Sequence, residues 1–587
     1  MSEKKSKADS QDKVTELARR RGLFWTSFEI YGGVAGFYDF GPVGVLIKRN
    51  LVESWLRYFV YSNEWVVEIE TPIINPRIVF KASGHEDHFT DPVVECTKCS
   101  RIYRADHLVK ELTGINVEGW NIDDINKLIK EKGLKCPECG GELSQVFNAS
   151  LLFTSEIGPY RGERGYLRPE LAQGMFINFP FVLKLTRNRL PLGIAQVGKV
   201  ARNEISPRQG LLRLREFTIM EVEFFFDPED LEEAYRAIEM VKDEVVRVVT
   251  EAARRAGEEE ASEFTVVELV EKNVVKTPWL AYWMGVGNKF VKSLGIPEDK
   301  IRFYEKLPHE RAHYSAQTFD QEVYTSRYGW VEVAGYAYRT TYDLERHAEF
   351  SKADFTYFKR FETPAVMIVE KAYPNPVAIE RTLGREVLPK VMKSLAEIPP
   401  EELYKKLARD GHVEVEGFKL TSDHFYIKKE EVKIHGKKIV PHVVEPSFGL
   451  ERLFYVLLEY AYAERDGKVV LKLPRHLAPY HAAVFPLVAG KKPEQQKIVG
   501  LSRRIYKDLL SAGFRVIYDE EGSIGRRYAR VDEIGVPYAI TVDYQSLEDN
   551  TVTVRDRDTA EQVRVHIENL REYLVEKFRE SFPTFLI

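Results

Sequence analysis

The stretch RNEISPRQGLLRLREFTIMEVEFFF (202–226) sets two arginine-rich runs on either side of a loop holding Pro207, Gln209 and Gly210. A strand period of two puts Arg202 and Glu204 on one face. It does the same for Arg213, Arg215, Phe217, Ile219, Glu221 and Glu223 in the second run. Arginine offers phosphate a rigid fork, a phenyl ring stacks on a base, and a carboxylate holds an amine or a metal. Taken alone, a solvated, salt-bridged sheet face explains such a ladder equally well. A second stretch, PHVVEPSFGLERLF (441–454), is an apolar strand ending on Glu445, followed by Ser447, Gly449 and the pair Glu451–Arg452 at the start of an apolar helical run. A strand end facing a helix start suits a small anion. Glu445 there requires a cationic partner. A third, GYLRPELAQGMF (165–176), adds Arg168, Glu170 and Gln173, with Glu170 near a helix start, where a carboxylate is favourable in any case. The ligand these residues suit carries both a phosphate and a positive charge.

The four cysteines form two pairs, Cys96-x-x-Cys99 and Cys136-x-x-Cys139. Two such knuckles present four thiolates tetrahedrally, and a closed four-sulfur site leaves no open position for catalysis, so the expected zinc is structural. Disulfides are the alternative, disfavoured in a cytosolic chain.

The elements that must position these residues follow from composition and periodicity. The chain has 587 residues, 44% hydrophobic and 30% charged, which predicts three or four globular domains. A formal net charge of -5 announces no nucleic-acid partner by bulk charge, though a local basic face is compatible with it. The first ten residues are polar, read as disordered, and carry neither a signal peptide nor a transit peptide. No run of 18 apolar residues exists, so no membrane span is expected, and a cytoplasmic location follows. Residues 11–22 predict a short basic helix. Apolar residues from Val45 to Tyr61 recur at helical spacing, and EWVVEIETPIINP alternates like a strand up to Pro72 and Pro76. The run from Glu221 to Gly257 predicts a strand followed by one long amphipathic helix, and 229–330 reads as mixed helix and loop. Residues 427–445 predict a hairpin turning at His435-Gly436. From about 476, strands alternate with helices, the pattern of a small α/β domain.

In chain order, the 45–61 helix with the strand after it, the 202–226 stretch and the 441–454 stretch resemble the three signature motifs of class II aminoacyl-tRNA synthetases. The first motif is the 45–61 helix with WVVEIETPII and Pro72. The second is Arg202-x-Glu204, a loop, and Phe217 with Glu221; the third is Gly449-x-Glu451-Arg452. Within that class, GGVAGFYDFGPVG, RPELAQGMF and PHVVEPSFGLERL resemble the glycyl-tRNA synthetases of the archaeal and eukaryotic homodimeric type, from about residue 24 to the end. The implied fold is α/β (α+β): an antiparallel class II sheet flanked by helices over 24–475, after an N-terminal tail and helix at 1–23. Insertions are expected at about 90–146 (the zinc module), 229–330 and 350–430. An α/β anticodon-binding domain is expected over 476–587.

The resemblance implies ATP with Mg²⁺, glycine and tRNA(Gly) as ligands, and a homodimer. Arg202, Glu204 and Arg452 would be catalytic. Arg202, Asn203, Glu204, Arg213, Leu214, Phe217, Glu332, Val333, Gly449 and Arg452 would bind ATP, with Glu332 also meeting Mg²⁺. Arg104, Glu170, Glu221, Arg339, Glu445 and Ser447 would bind glycine. Three acids can fix an ammonium group and fill the space a methyl would need, where an apolar pocket discriminates one methylene by only about 1–3 kcal/mol. Arg526, Arg527 and Arg530 would face RNA. Leu171 and Phe448 depart from the residues usual in relatives, and neither removes a charged ligand. A non-catalytic, synthetase-like RNA-binding paralogue is the competing reading; such proteins usually lose a motif arginine or a pocket acid, and none is lost here.

Overall fold

The computed structural model describes residues 13–579, apart from 118, 161, 206 and 208. The proposed disordered tail and the start of the N-terminal helix lie outside the described residues; the helix runs over 13–20. The chain divides into two compact units, Met1–Phe355 with Val440–Ile587, and Thr356–Ile439.

The first unit is built on a nine-stranded sheet. Its strands are β1 (Val66–Glu68), β2 (Leu192–Ala201), β3 (Glu216–Phe226), β4 (Val245–Val249), β5 (Ser262–Thr265), β6 (Ile301–Glu305), β7 (Gln317–Thr325), β8 (Gly329–Thr340) and β9 (His442–Gly449). The spatial order is β5-β4-β6-β7-β8-β9-β3-β2-β1. From β2 to β6 every neighbouring pair is antiparallel. The apolar face is covered by α1 (Pro42–Leu56), α3 (Pro278–Ser293) and α4 (Leu450–Ala461). Trp55, Phe59 and Trp283 stack in series at 5.0 and 5.6 Å, and Phe448 meets Phe59 edge-on at 5.0 Å. That packing is what the larger residue at 448 supplies: its ring fills the gap between α3, β8 and the 57–61 segment. The other helix that matters to the site, α2 (Ala172–Leu185), packs Phe179 on Phe225 at 4.3 Å.

Two expected elements are absent as drawn. The long helix after β3 stops at Glu239, and β4 takes its place. The sequence VVRVV is rich in β-branched residues, and pairing with β6 and β5 outweighs the helical spacing around it. The region 229–330 therefore contributes four strands to the main sheet, β4 to β7, rather than loops and helices alone. The predicted turn at His435-Gly436 is likewise replaced by a continuous strand, Phe425–Ile439, paired with Tyr357–Pro374 in the second unit. Gly436 serves close approach instead: a Cβ there would sit 2.3 Å from the Lys359 carbonyl oxygen. That unit has its own small core around Ile379, Val391, Leu395 and Leu403.

Beyond β9 and α4, a five-stranded sheet forms the C-terminal domain. It consists of β10 (Ala482–Pro486), β11 (Val516–Tyr518), β12 (Tyr538–Val542), β13 (Thr551–Asp556) and β14 (Gln562–His566), in the order β11-β10-β12-β13-β14. Helices α5 (Pro493–Ser511), α6 (Ile524–Asp532) and α7 (Leu570–Arg579) complete it. Ion pairs fix this domain to the first: Arg20 and Arg21 on Glu533, and Arg465 on Asp532 at 3.2 Å.

Candidate functional site

A cavity of about 300 Å³ opens over the polar face of β3, β7, β8 and β9. Its floor follows from register. Asp320, Gly335, Ser447, Glu221 and Gln196 are directly opposite one another across five strands, so their side chains share one face. The second-motif arginines lie just outside the strands, which end at Ala201 and resume at Glu216. The two segments stay paired there, with the Arg202 N–H donating to the Arg215 carbonyl at 2.8 Å.

One end of the cavity is cationic and aromatic. The Arg202 guanidinium lies over the Phe217 ring at 5.4 Å and donates to the Pro169 carbonyl at 2.9 Å. Arg213 donates to Glu204 at 2.7 Å. Arg452, in the first turn of α4 after the N-cap Gly449, donates to the carbonyls of Leu212 and Glu332 and pairs with the Glu332 carboxylate at 3.1 Å. Burial opposes ionisation of Glu332, but Arg452, Lys306 and Arg202 outweigh it and hold this acid below the usual carboxylate range. Burial and the Glu332 charge push its neighbour Asp320 up to about 8, against the pull of Lys306 at 3.1 Å. Leu214 and Val333 also line this end, while Asn203 sits beside it with its N–H on the Leu151 carbonyl at 2.8 Å. Glu451 is turned away: it accepts from Lys48 at 2.6 Å and from the Thr218 N–H at 2.7 Å, tying α1 to β3.

Behind Glu445, Ser447 and Tyr314, which line the other end, lies a buried ring of acids around the Arg339 guanidinium. Arg339 is fully buried, and it donates to Glu445 at 2.7 Å and to both oxygens of Asp343 at 2.8 and 3.0 Å. Glu170 stands 3.8 Å away, and the Tyr314 ring stacks on the guanidinium at 3.7 Å. Arg339 reaches these partners because β8 bulges there: the register to β9 slips between Tyr338 and Thr340, and Thr340 takes φ 56. Glu170 also meets His85 at 3.2 Å and Gln173 at 2.9 Å. Burial disfavours its charge, yet His85, Arg339 and Gln173 together hold it well below the ordinary range. Glu221 accepts the Leu171 N–H at 3.1 Å. Because the backbone of Leu171 makes this contact, the unusual side chain at 171 does not disturb it.

The structure thus brings Glu170, Glu221, Arg339, Glu445 and Ser447 together. Arg104 stands elsewhere, paired with Asp106 at 2.5 Å and Asp91 at 3.3 Å, in a separate groove with Tyr103, His107, Gln209 and Arg213. Residues not singled out beforehand are Asp343, His85, Tyr314, Lys306 and Asp320. Asp320 lies in QTFDQEVYT, whose alternation signals a strand once 317–325 is no longer read as loop.

Of the C-terminal arginines, Arg526 is exposed. Arg527 shares the inner face of α6 with Val531 and is buried; its guanidinium donates to the carbonyls of Pro486, Leu487 and Gly522. The helix phase turns it inward, into the domain. Arg530 is half-buried and paired with Asp519.

The cysteines converge. Cys96 and Cys139 sulfurs are 3.4 Å apart and those of Cys99 and Cys136 are 3.8 Å apart, with all four within 4.8 Å of one another. A tetrahedral ion with bonds of about 2.3 Å needs sulfurs about 3.8 Å apart, so the set fits one metal. Gly140 takes φ +66, and a Cβ at Gly141 would lie 2.9 Å from the Cys96 sulfur, which explains the paired glycines of the knuckle.

The fold and site define a class II tRNA synthetase core. Residues 159–461 match the family described as the tRNA synthetase class II core domain (G, H, P, S and T), and 481–577 match the anticodon binding domain. Among curated proteins, the glycine–tRNA ligase of Aeropyrum pernix is 51% identical over 97% of this chain and 98% of its own length. Those of Pyrococcus horikoshii and Methanocaldococcus jannaschii are 48% and 42% identical, each over 97% of this chain and at least 99% of their own. The chain belongs to the glycine–tRNA ligase family. Among solved structures, a Giardia lamblia prolyl-tRNA synthetase in complex with prolyl-adenylate covers 98% of this chain and 80% of its own, with a TM-score of 0.52 at 14% identity, a likeness of fold.

Proposed function

We infer that this protein activates glycine with ATP to glycyl-adenylate, releasing pyrophosphate, and transfers the glycyl group to the 3′-terminal adenosine of tRNA(Gly). One observation carries the reading: the cavity lined at one end by arginines and an aromatic ring, suited to a nucleotide, reaches at Glu445 and Ser447 the edge of a buried acid ring suited to a small ammonium group. Adenine would lie between Phe217 and Arg452, with Arg202 on the α-phosphate and Arg213 on the outer phosphates. The glycine carboxylate is itself the nucleophile, so no general base is required; Arg202 neutralises charge as it approaches phosphorus, and catalysis is positioning and electrostatics. Glu332 would hold Mg²⁺ together with phosphate oxygens, a donor set that suits this ion. When bound, Mg²⁺ neutralises charge on the phosphates. Glu170, Glu221, Glu445 and Ser447 would orient the ammonium. The four cysteines would hold a structural zinc. Arg526, exposed on α6, would meet RNA.

A homodimer is supported by exposed apolar side chains. Ile177, Phe181 and Leu185 line one face of α2 at four-residue spacing, exposed by 40, 63 and 67%. The near-full-length relatives and the complete set of motif residues favour the ligase over a non-catalytic paralogue. The test is exchange of labelled pyrophosphate into ATP with glycine, alanine, serine, threonine or proline. Exchange with glycine alone is expected; no exchange with any of them would overturn the reading.

A further inference from the structure

Glu223 lies beneath the acid ring and is used by none of the roles above. It is fully buried, and neither carboxyl oxygen has a hydrogen-bond partner among the described residues. The β3–β9 ladder, with Glu221 opposite Ser447 and Phe224 opposite Val444, sets Glu223 opposite Glu445. Carboxyl oxygens of Glu221, Glu223 and Glu445 lie within 4.8 Å of one another. The groups facing this trio come from every element around it. They are Arg339 from the β8 bulge, Asp343 from the helix after it, Glu170 from the turn before α2 with His85 on it, Arg168 beside Glu221, Ser447 from β9, and the Tyr314 phenol from the 306–316 loop. Glu170, Glu221, Glu223, Glu445 and Asp343 thus crowd around Arg339, already bonded to Asp343 and Glu445, with Arg168 near Glu221 and His85 on Glu170 as the other basic groups. Like charges at this spacing in a dry site cannot all be ionised. Burial, with Glu445 beside both, lifts Glu221 and Glu223 well above the carboxylate range.

Building on the glycine reading, we propose that Glu223 is a positioning residue that keeps a proton within the Glu221–Glu223–Glu445 group of the free enzyme, and that the arriving glycine ammonium displaces that proton to solvent. One carboxyl O–H bond breaks and its proton passes to a solvent base. An ammonium N–H then donates to the carboxylate oxygen, and no bond of glycine changes. The pocket so exchanges one positive charge for another. Glycine affinity then rises with pH through the range in which the free pocket sheds the same proton.

The experiment is calorimetric titration of glycine into the full-length protein at neutral pH in phosphate, Hepes and Tris, whose ionisation enthalpies differ, with ATP binding as a control. The wild type is expected to release up to about one proton per glycine. In Glu223→Gln, one acid fewer crowds the group. Its release is expected to fall severalfold and its glycine KM to lose most of its pH dependence, with ATP binding unchanged. A glycine heat independent of buffer in the wild type would overturn the proposal, as would a Glu223→Gln variant that binds glycine more weakly but releases as many protons. If Glu223→Gln does not fold, the wild-type buffer dependence and the slope of log KM against pH decide. Failure to bind glycine in any buffer, with ATP still bound, would instead overturn the glycine reading itself.

Discussion

Arg339 is the residue whose loss should be felt most widely. It is fully buried and bonded to Glu445 at 2.7 Å and to Asp343 at 2.8 and 3.0 Å, with Glu170 3.8 Å away. Arg339→Ala strands these acids in a dry site, and breaking a buried pair from one side costs about 3–5 kcal/mol. Arg339→Lys keeps the charge but not the fork. A point charge cannot hold both Asp343 oxygens and Glu445, so one charge-assisted hydrogen bond is lost, worth roughly 1.5–3 kcal/mol. The alanine deficit depends on pH in a defined direction. Arg339 helps hold Glu170 below its ordinary 4.5, so that contribution is present above this value and is lost as pH falls through the folded pKa. The gap between wild type and Arg339→Ala should therefore be widest near neutrality and narrow below about pH 4.5. The assays are thermal unfolding across pH and glycine KM in pyrophosphate exchange. Arg339→Lys with wild-type melting and wild-type KM would refute the account, because it would mean the fork geometry carries nothing.

Arg202→Ala should fold normally and lose pyrophosphate exchange by about 10²–10³-fold, the scale of removing one preorganised donor; near-normal exchange would sink its phosphate role. Cys96→Ser should lower bound zinc, measured by mass spectrometry of the metal, and lower the melting temperature more than turnover; an unchanged zinc content would disprove the four-thiolate site. His347, buried and bonded to Gln173 at 2.8 Å, is pushed down to about 4 by burial. Its contribution is therefore full above its ordinary 6.5 and lost as pH falls towards 4, roughly 2 kcal/mol by pH 5. In His347→Gln, the loss of stability between pH 7 and pH 5 should be smaller than in the wild type. Arg527→Ala should destabilise the C-terminal domain in calorimetry, whereas Arg526→Ala should leave melting unchanged and weaken tRNA binding in filter assays.

What the sequence made legible is what period and type alone determine. Glu221, Ser447 and Glu445 sit on strands whose alternation is plain, and the motif arginines sit where those strands end. The C-terminal domain followed from alternating helices and strands. The long helix after β3 was misread because AYRAIEMVKDEVVRVV satisfies both periods for several residues, and only pairing with β6 decides between them. The same misreading hid Asp320: once 229–330 is taken as loop and helix, no strand exists to put it in the row with Gly335 and Ser447. Arg527 failed for another reason. A charged residue on an amphipathic helix is ordinarily placed outward, and nothing local says that three backbone carbonyls await it inside.

The acid ring shows where pattern stops and register begins. Any strand reading finds Glu221 and Glu223 on one face, but it does not say what stands across from them. That requires the β3–β9 ladder, which sets Glu221 opposite Ser447 and Glu223 in line with Glu445, so that Glu445 stands beside both acids. Arg339 needs one step more: it lies at the slip between Tyr338 and Thr340, where it spans Glu445 and Asp343. A substrate with no side chain leaves a pocket only charge and lack of space with which to recognise it. Selectivity then rests on how the excess negative charge is held when the substrate is absent. Arg339 and Arg168 are two guanidiniums against five acids, so in the proposal above the excess charge is carried by a proton, and this is what an arriving ammonium group replaces.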